Sequence, residues 1–426
     1  MVGAVLRGLR VRSWPLSFTA AAVIVYFFYD RILPNLDNSV QSGFQNWLPI
    51  GTITYCLVWV MLALGLNIVV GYAGLLDLGY VAFWAIGGYT AAWLMSTFAF
   101  DKQIHFSFLA PNGYNHAVGI HISFWIVLVV GALFCALWGA LIGAPTLRLR
   151  SDYLAIVTLG FGEIIPQFFR NGESIFGQNI SNGTKGITPL DPIGTGPLSP
   201  VLGGKAVLGP FDLIDKYLIF VVLAAICMFV SLRIRSGRLG RAWLAIREDE
   251  LAASMMGVPL MRTKLAAYAV GAFFGGIGGV AFASYNSSTI PTFSFSDSIT
   301  ILLMVVVGGM GNVWGVTIGA LVISWINLKG LSQFGDWFNG QFSTHVNFPS
   351  YNFLIFGIIL VLMMLFRREG ILPETRTRQL LKEPSRTEME SIGADIEAAE
   401  VESELVEDMA PEFAVQSETE TLRSGE

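Results

Sequence analysis

Charge is what this sequence has least of. Only 13% of its 426 residues are Asp, Glu, Lys or Arg, while 54% are apolar; a soluble domain carries roughly 25% charged residues. Ser13–Tyr29, Asn38–Leu76, Leu78–Phe100, Ala117–Leu147, Tyr217–Leu232, Leu265–Ser296, Ser298–Leu328 and Pro349–Phe366 have no charged residue at all, which excludes a soluble globular protein. Cysteine is nearly missing too. Cys56, Cys135 and Cys227 lie inside apolar runs without short spacing, so they form neither a disulfide framework nor a zinc site. The four histidines, His105, His116, His121 and His345, fall in predicted loops without ligand spacing, and no metal site follows. No nucleotide-binding Gly-x-x-x-x-Gly-Lys-Ser/Thr occurs, since Gly203-Gly204-Lys205 lacks both the first glycine and the hydroxyl residue. Nothing supports an enzyme, a resident cofactor or a nucleic-acid partner. A proton relay places ionisable groups inside spans. Here only Glu163 falls in one, with Asp77, Asp152 and Asp297 at predicted ends.

The apolar runs match the ~20 residues a helix needs to cross a bilayer. They predict an all-α polytopic membrane protein with about ten spans, near 15–32, 48–70, 78–98, 121–143, 152–170, 213–232, 265–286, 297–310, 312–328 and 350–366. One or two are expected to be broken or re-entrant. The eighth is short and followed by Gly308-Gly309-Met310-Gly311, and the fifth contains Glu163 and Pro166. Arg7, Arg10 and Arg12 precede the first run, which ends in Tyr26-Phe27-Phe28-Tyr29 without a small-residue cleavage site; it reads as an uncleaved first helix. Ten spans with the N-terminus inside put 14 basic residues in cytoplasmic segments against 7 outside, so both termini are expected to be cytoplasmic. The permease-like part is 1–374, with an internal loop at 233–264 and a large external loop at 171–212. Residues 375–426 hold 14 acidic and 5 basic residues, a net −9 that leaves +4 for the rest. That composition predicts an acidic, disordered cytoplasmic tail.

The internal loop carries the most information. Ala242–Met256 is rich in helix formers, and Gly257 with Pro259 is a stop signal. Trp243, Ile246, Leu251 and Met255 recur at helical spacing, predicting one amphipathic helix with Arg247, Glu248, Asp249 and Glu250 turned to solvent. Elsewhere, Gly271, Gly275 and Gly279 repeat every four residues on one helix face, a pattern that lets helices pack closely. Gly71, Gly74, Gly79, Gly87 and Gly88 suggest either close helix contacts or, near Gly71–Gly79, an unwound segment bordering a pore. Asp77 there also fits an N-cap for the next span.

At these residues the sequence resembles a family. Leu251-Ala252-Ala253-Ser-Met-Met-Gly257 is similar to the Glu-Ala-Ala-x-x-x-Gly signature of ABC-importer permeases, with leucine in place of the glutamate. Gly65–Thr90, Tyr153–Ile165 and Val306–Asn312 resemble blocks of branched-chain amino-acid permeases, most closely the M-type of the leucine/isoleucine/valine system, over about residues 45–373. The resemblance implies a multi-pass subunit of the bacterial plasma (inner) membrane. It also implies a second, H-type permease, two ATP-binding subunits and an external substrate-binding protein as partners. Arg241, Trp243, Glu248, Asp249, Ala252, Ala253 and Gly257 become the expected contacts to the ATPase. Asp77, Glu163, Gly71, Gly74, Gly308 and Gly309 become pore or gate candidates. A urea or short-chain amide permease is the nearest alternative; a stand-alone secondary carrier or channel belongs to a different class and would need no coupling loop.

Overall fold

The computed structural model describes residues 18–19, 21–98, 105–108, 119–148, 151–175, 177–196, 205–209, 212–342, 345–367 and 370–372. The acidic tail at 375–426 and the start of the expected span at 15–32 lie outside them. The chain is a polytopic helical membrane protein. After α1 (residues 21–32) come α2 (Asn38–Trp47), α3 (Ile50–Leu66, continuing in π turns to Tyr72), α4 (Val81–Leu94), α5 (Phe124–Thr146), α6 (Ser151–Arg170) and α7 (Leu213–Ser236). Two short helices, α8 (Arg238–Glu248) and α9 (Glu250–Met255), lead into α10 (Leu260–Asn286). The remainder is α11 (Phe295–Gly308), α12 (Val313–Trp325), α13 (Leu331–Phe342) and α14 (Asn352–Phe366).

Among the described residues six helical stretches are long and apolar enough to cross a bilayer: Asn38–Tyr72, Phe124–Thr146, Leu213–Ser236, Leu260–Asn286, Val313–Phe342 and Phe348–Phe366. Of the segments expected as spans, α6 at 152–170 is not among these six, α4 at 78–98 is shorter than predicted, and α11 keeps the short length expected of the eighth span. α4 and α11 have 14 residues each, about 21 Å at 1.5 Å per residue, less than a ~30 Å hydrocarbon core. α4 is buried on nearly every side, so along its length it packs against protein.

Helix α10 is the axis of the bundle, and glycine lets its neighbours approach. A Cβ on Gly275 would meet Phe83 of α4 at 2.8 Å, and one on Gly279 the Gly88 nitrogen at 2.7 Å. Gly271 lies against Val69 and the Gly65 carbonyl. On another side, a Cβ on Gly276 would meet the Gly131 carbonyl at 2.8 Å and Ala132 Cα at 2.9 Å in α5. These are backbone neighbours that cannot swing aside. Gly276→Val is therefore expected to cost at least the 1–3 kcal/mol usual for overpacking. The measurement is the yield of monodisperse solubilised protein and its thermal midpoint; wild-type values for both would refute the packing argument. Outward faces are apolar, as for Leu133, Leu137 and Leu141 on α5 and Leu354, Ile358, Val361 and Leu365 on α14. Exposed apolar surface on this scale belongs against lipid or another chain.

One end of the bundle carries a small cap. The segment after α4, expected as the end of one span, a loop and the start of the next, forms β1 (Met95–Ser96), β2 (His105–Phe108) and β3 (Gly119–Ile122), ordered β1-β3-β2. β4 (Ile193–Gly194) and β5 (Val207–Leu208) pair beside it. His121 Nδ1 lies 2.8 Å from Asp191 Oδ2, both side chains being buried. Burial pushes the Asp191 carboxyl above its usual range, and the adjacent His121 opposes that shift. Lys205 bridges Asp212 at 2.9 Å and Asp215 at 2.6 Å, holding the Asp212 carboxyl below its usual value. The opposite end gathers residues 73–80, α8 and α9, the turn at 309–312 and residues 370–372.

Candidate functional site: a two-helix loop against a broken helix

The loop expected as a single helix is two helices meeting at Asp249. There the backbone is extended (φ −156°, ψ 116°), and the Asp249 carboxylate accepts hydrogen bonds from Leu251 N at 2.8 Å and Ala252 N at 3.0 Å. Aspartate competes poorly in a helix interior and well at an N-cap, so the cap outweighs continuation of the helix. The helix after it closes at Gly257 (φ +82°), where Val258 N bonds Ala253 O and Gly257 N bonds Ser254 O. This is the Schellman arrangement, which favours glycine at that position.

The break redirects the side chains. Trp243 and Ile246 of α8 are buried, with Trp243 Nε1 donating to Thr263 O at 2.8 Å. Leu251, Met255 and Met256 do not continue that face; they are 73%, 84% and 86% exposed. Of the expected contact residues, Arg241, Glu248, Asp249, Ala252 and Gly257 are exposed. Trp243 and Ala253 are buried at 0% and 4% exposure, so they anchor the loop and present nothing to another chain. The exposure of Leu251, Met255 and Met256 was not foreseen, because helical spacing assigned the first two to the buried face. An apolar triplet beside the Asp249 cap was the available signal.

The broken helix lies directly beside α8. α3 winds into π turns over Asn67–Tyr72 and then loses helical structure until Tyr80. Its freed groups find side-chain partners, as a buried backbone requires. Gly79 N donates to Asp77 Oδ1 at 2.8 Å, Leu78 N to Thr158 Oγ1 at 3.1 Å, and Val81 N to Ser298 Oγ at 2.9 Å. Asn67 Oδ1 accepts from Gly311 N at 2.9 Å. Asp77 is thus buried one turn ahead of α4, where a carboxylate suits the helix dipole. Gly71 is buried against Asn67 and Gly311, while Gly74 is exposed at φ +68°. Gly308 and Gly309 are buried: Gly308 faces the Gly315 backbone, and Gly370 closes on Gly309. Their smallness serves close helix packing, and neither lines an open surface.

Arg247 departs most from expectation. Instead of turning to solvent it is half-buried, and its Nη1 donates to the Gly71 carbonyl. Its Cγ would lie 2.9 Å from a Cβ placed on Gly74.

Glu163 sits on α6, whose inner face packs on the same broken segment. Gly162 is pressed against Gly79, while Glu163 is exposed on the surface of the single chain. Gly160, Glu163, Gln167 and Arg170 follow one another at helical spacing. Nothing crowds Gly160, and Arg170 Nη1 lies 3.5 Å from Gln167 Oε1. The result is a polar stripe on an otherwise apolar helix, running toward the strand-capped end.

The sequence profile of a family described as branched-chain amino acid transport system / permease component matches residues 48–364. The chain is 36% identical over 354 residues to the high-affinity branched-chain amino acid transport system permease protein LivM of Escherichia coli K12, covering 79% of this chain and 72% of that protein. It is 25% identical over 346 residues to the probable branched-chain amino acid transport permease protein LivM of Methanocaldococcus jannaschii, covering 77% and 95%. To the permease protein LivH of Escherichia coli K12 it is 21% identical over 278 residues, covering 64% and 81%. No solved structure matches the chain.

Proposed function

This chain belongs to the family of permease components of branched-chain amino acid transport systems, and we propose that it supplies one half of the translocation path of an ATP-driven importer. The observation that carries the reading is the exposed apolar face of Leu251, Met255 and Met256, fixed by the Asp249 cap and the Gly257 stop. A rigid knob of this kind on a polar loop suits a groove in a soluble ATPase subunit, with Arg241, Glu248 and Ala252 around its rim. An interface of apolar centre and polar rim is the usual design.

The rest of the assembly follows. The chain contains no Walker sequence, so hydrolysis falls to two separate ATP-binding subunits. A second, H-type permease lies alongside, and an external binding protein delivers leucine, isoleucine or valine. The α8–α9 end of the bundle faces the cytoplasm, where both termini are expected, the strand cap is external, and about ten helices cross or enter the bacterial inner membrane. Glu163 on its polar stripe and the exposed Gly74 border the path; Asp77 supports the broken helix from within. A carboxylate on the outer face of a membrane helix is costly against lipid, which argues for water or a partner subunit at Glu163.

The test is ATP-driven uptake of labelled leucine and urea into vesicles holding this chain with its co-purifying subunits and binding protein. Leucine uptake that needs ATP and the ATPase subunits is the expected result. Urea uptake in its place would move the assignment to the amide-type permeases, and uptake by this chain alone without ATP would replace it with a carrier.

A further inference from the structure

We infer that Arg247 is the positioning residue that transmits movement of the α8–α9 loop to the broken end of α3. The inference rests on the reading of α9 as the ATPase-docking element. Three observations carry it. First, Arg247 bonds across 176 positions of sequence to the carbonyl of Gly71, in the π-wound end of α3. A helix C-terminus leaves its last carbonyls without intrahelical partners, and a guanidinium there satisfies one while complementing the negative end of the dipole. Second, the same side chain lies along Gly74, whose positive φ and lack of Cβ make room for it. The loop therefore touches the broken helix on both sides of the point where the winding stops. Third, Arg247 is two residues from the Asp249 hinge, and α9 beyond that hinge exposes the docking face.

From Gly71 and Gly74 the route onward is made of direct contacts. Leu78 N bonds Thr158 Oγ1, and Gly79 packs on Gly162, the residue before Glu163. A shift of α9 turns α8 about its buried Trp243 anchor, moves the Arg247 guanidinium, and drags the 71–79 segment against α6. Other bonds tie the loop to the bundle, such as Trp243 to Thr263 and Lys264 to Glu250, but they run to the start of α10. Arg247 reaches the broken segment itself.

The experiment uses the whole transporter in proteoliposomes, reading leucine uptake, ATP hydrolysis with and without loaded binding protein, and co-purification of the ATPase subunits. Arg247→Ala is expected to keep the ATPase subunits and basal hydrolysis. It should lose the stimulation by loaded binding protein and lower the leucine taken up per ATP about tenfold, within the usual range of coupling between sites. Arg247→Lys, whose ammonium can still donate to one carbonyl, should fall between that variant and wild type. Wild-type uptake per ATP in Arg247→Ala would overturn the inference; so would loss of the ATPase subunits in step with loss of uptake, which would make Arg247 a docking residue. If Arg247→Ala fails to fold, Arg247→Lys decides: lowered uptake per ATP at full assembly supports the link, and wild-type coupling refutes it. Failure of the importer reading shows separately, as a wild-type complex that hydrolyses ATP without moving leucine.

Discussion

Replacing Leu251, Met255 and Met256 together by glutamate is expected to leave this chain folded in the membrane and stripped of its ATPase subunits. The three side chains are 73%, 84% and 86% exposed, so they contribute little to the fold, and surface substitutions away from special features usually stay within about 0.5 kcal/mol. Glutamate is moreover a good helix former at the two α9 positions. The same residues form the most exposed apolar patch on the loop, and central apolar anchors of an interface commonly cost about 2 kcal/mol or more each when removed. Losing even one is about a thirtyfold loss of affinity, and three introduced carboxylates would have to be desolvated on docking. The measurement is co-purification of ATPase subunits with tagged permease, with the thermal midpoint of the permease as control. Full retention of the ATPase subunits at an unchanged midpoint would place the docking surface elsewhere. Asp249→Ala is the gentler companion: losing an N-cap costs about 1 kcal/mol, which loosens the knob without altering its surface.

These residues also mark what could be read in the sequence. Charge-free runs located most of the long helices, though not α6 with its Asp152 and Glu163, because membrane insertion depends on composition and length, both of which are local. The unwinding between Gly71 and Gly79 was one of two readings its glycines allowed, while Asp77, read as an N-cap for α4, instead accepts from Gly79 N and leaves the N-cap position to Tyr80 without a side-chain bond. The break at Asp249 was not. Periodicity counted Trp243, Ile246, Leu251 and Met255 as one face, although a cap resets the helical phase and turns the last two outward. Asp249 ahead of Glu250-Leu-Ala-Ala was the cue that an N-cap preference would have supplied. Gly308 and Gly309 show a second limit. Glycine marks both open turns and tight packing, and only the approach of Gly315 and Gly370 distinguishes them. Arg247 had no local signal at all, because its partner lies 176 residues away. The strand cap was hidden for a similar reason: its pairs join short segments such as Met95–Ser96 and Gly119–Ile122 across a long connection.

Glu163→Gln should lower leucine uptake about tenfold while assembly and basal ATP hydrolysis persist, and Glu163→Lys should lower it about a hundredfold. Glu163 lies twelve residues after the start of α6 and seven before Arg170, roughly 18 Å and 10 Å along the axis, so it stands in the middle part of the helix. An acidic side chain near the centre of a lipid-facing helix costs about 2.5–3.5 kcal/mol on insertion scales. The favourable alternative is a water-filled path shared with the second permease, in line with Gln167 and Arg170 on the same stripe. A branched-chain amino acid crosses such a path as a zwitterion, with an ammonium that a carboxylate attracts. At about 6 Å and an effective dielectric near 20, that attraction is about 2–3 kcal/mol, and partial screening by water leaves enough for a tenfold effect. Lysine converts attraction to repulsion, which is why its effect should be larger than that of the isosteric amide. Glu163→Leu separates the two placements. On a lipid-facing surface leucine would remove the burial cost, raising stability without touching uptake; on the path it would raise stability little and abolish the pull on the ammonium. Wild-type uptake in Glu163→Leu, measured with normal assembly, would take Glu163 off the translocation path and leave the broken segment at Gly74 as its border.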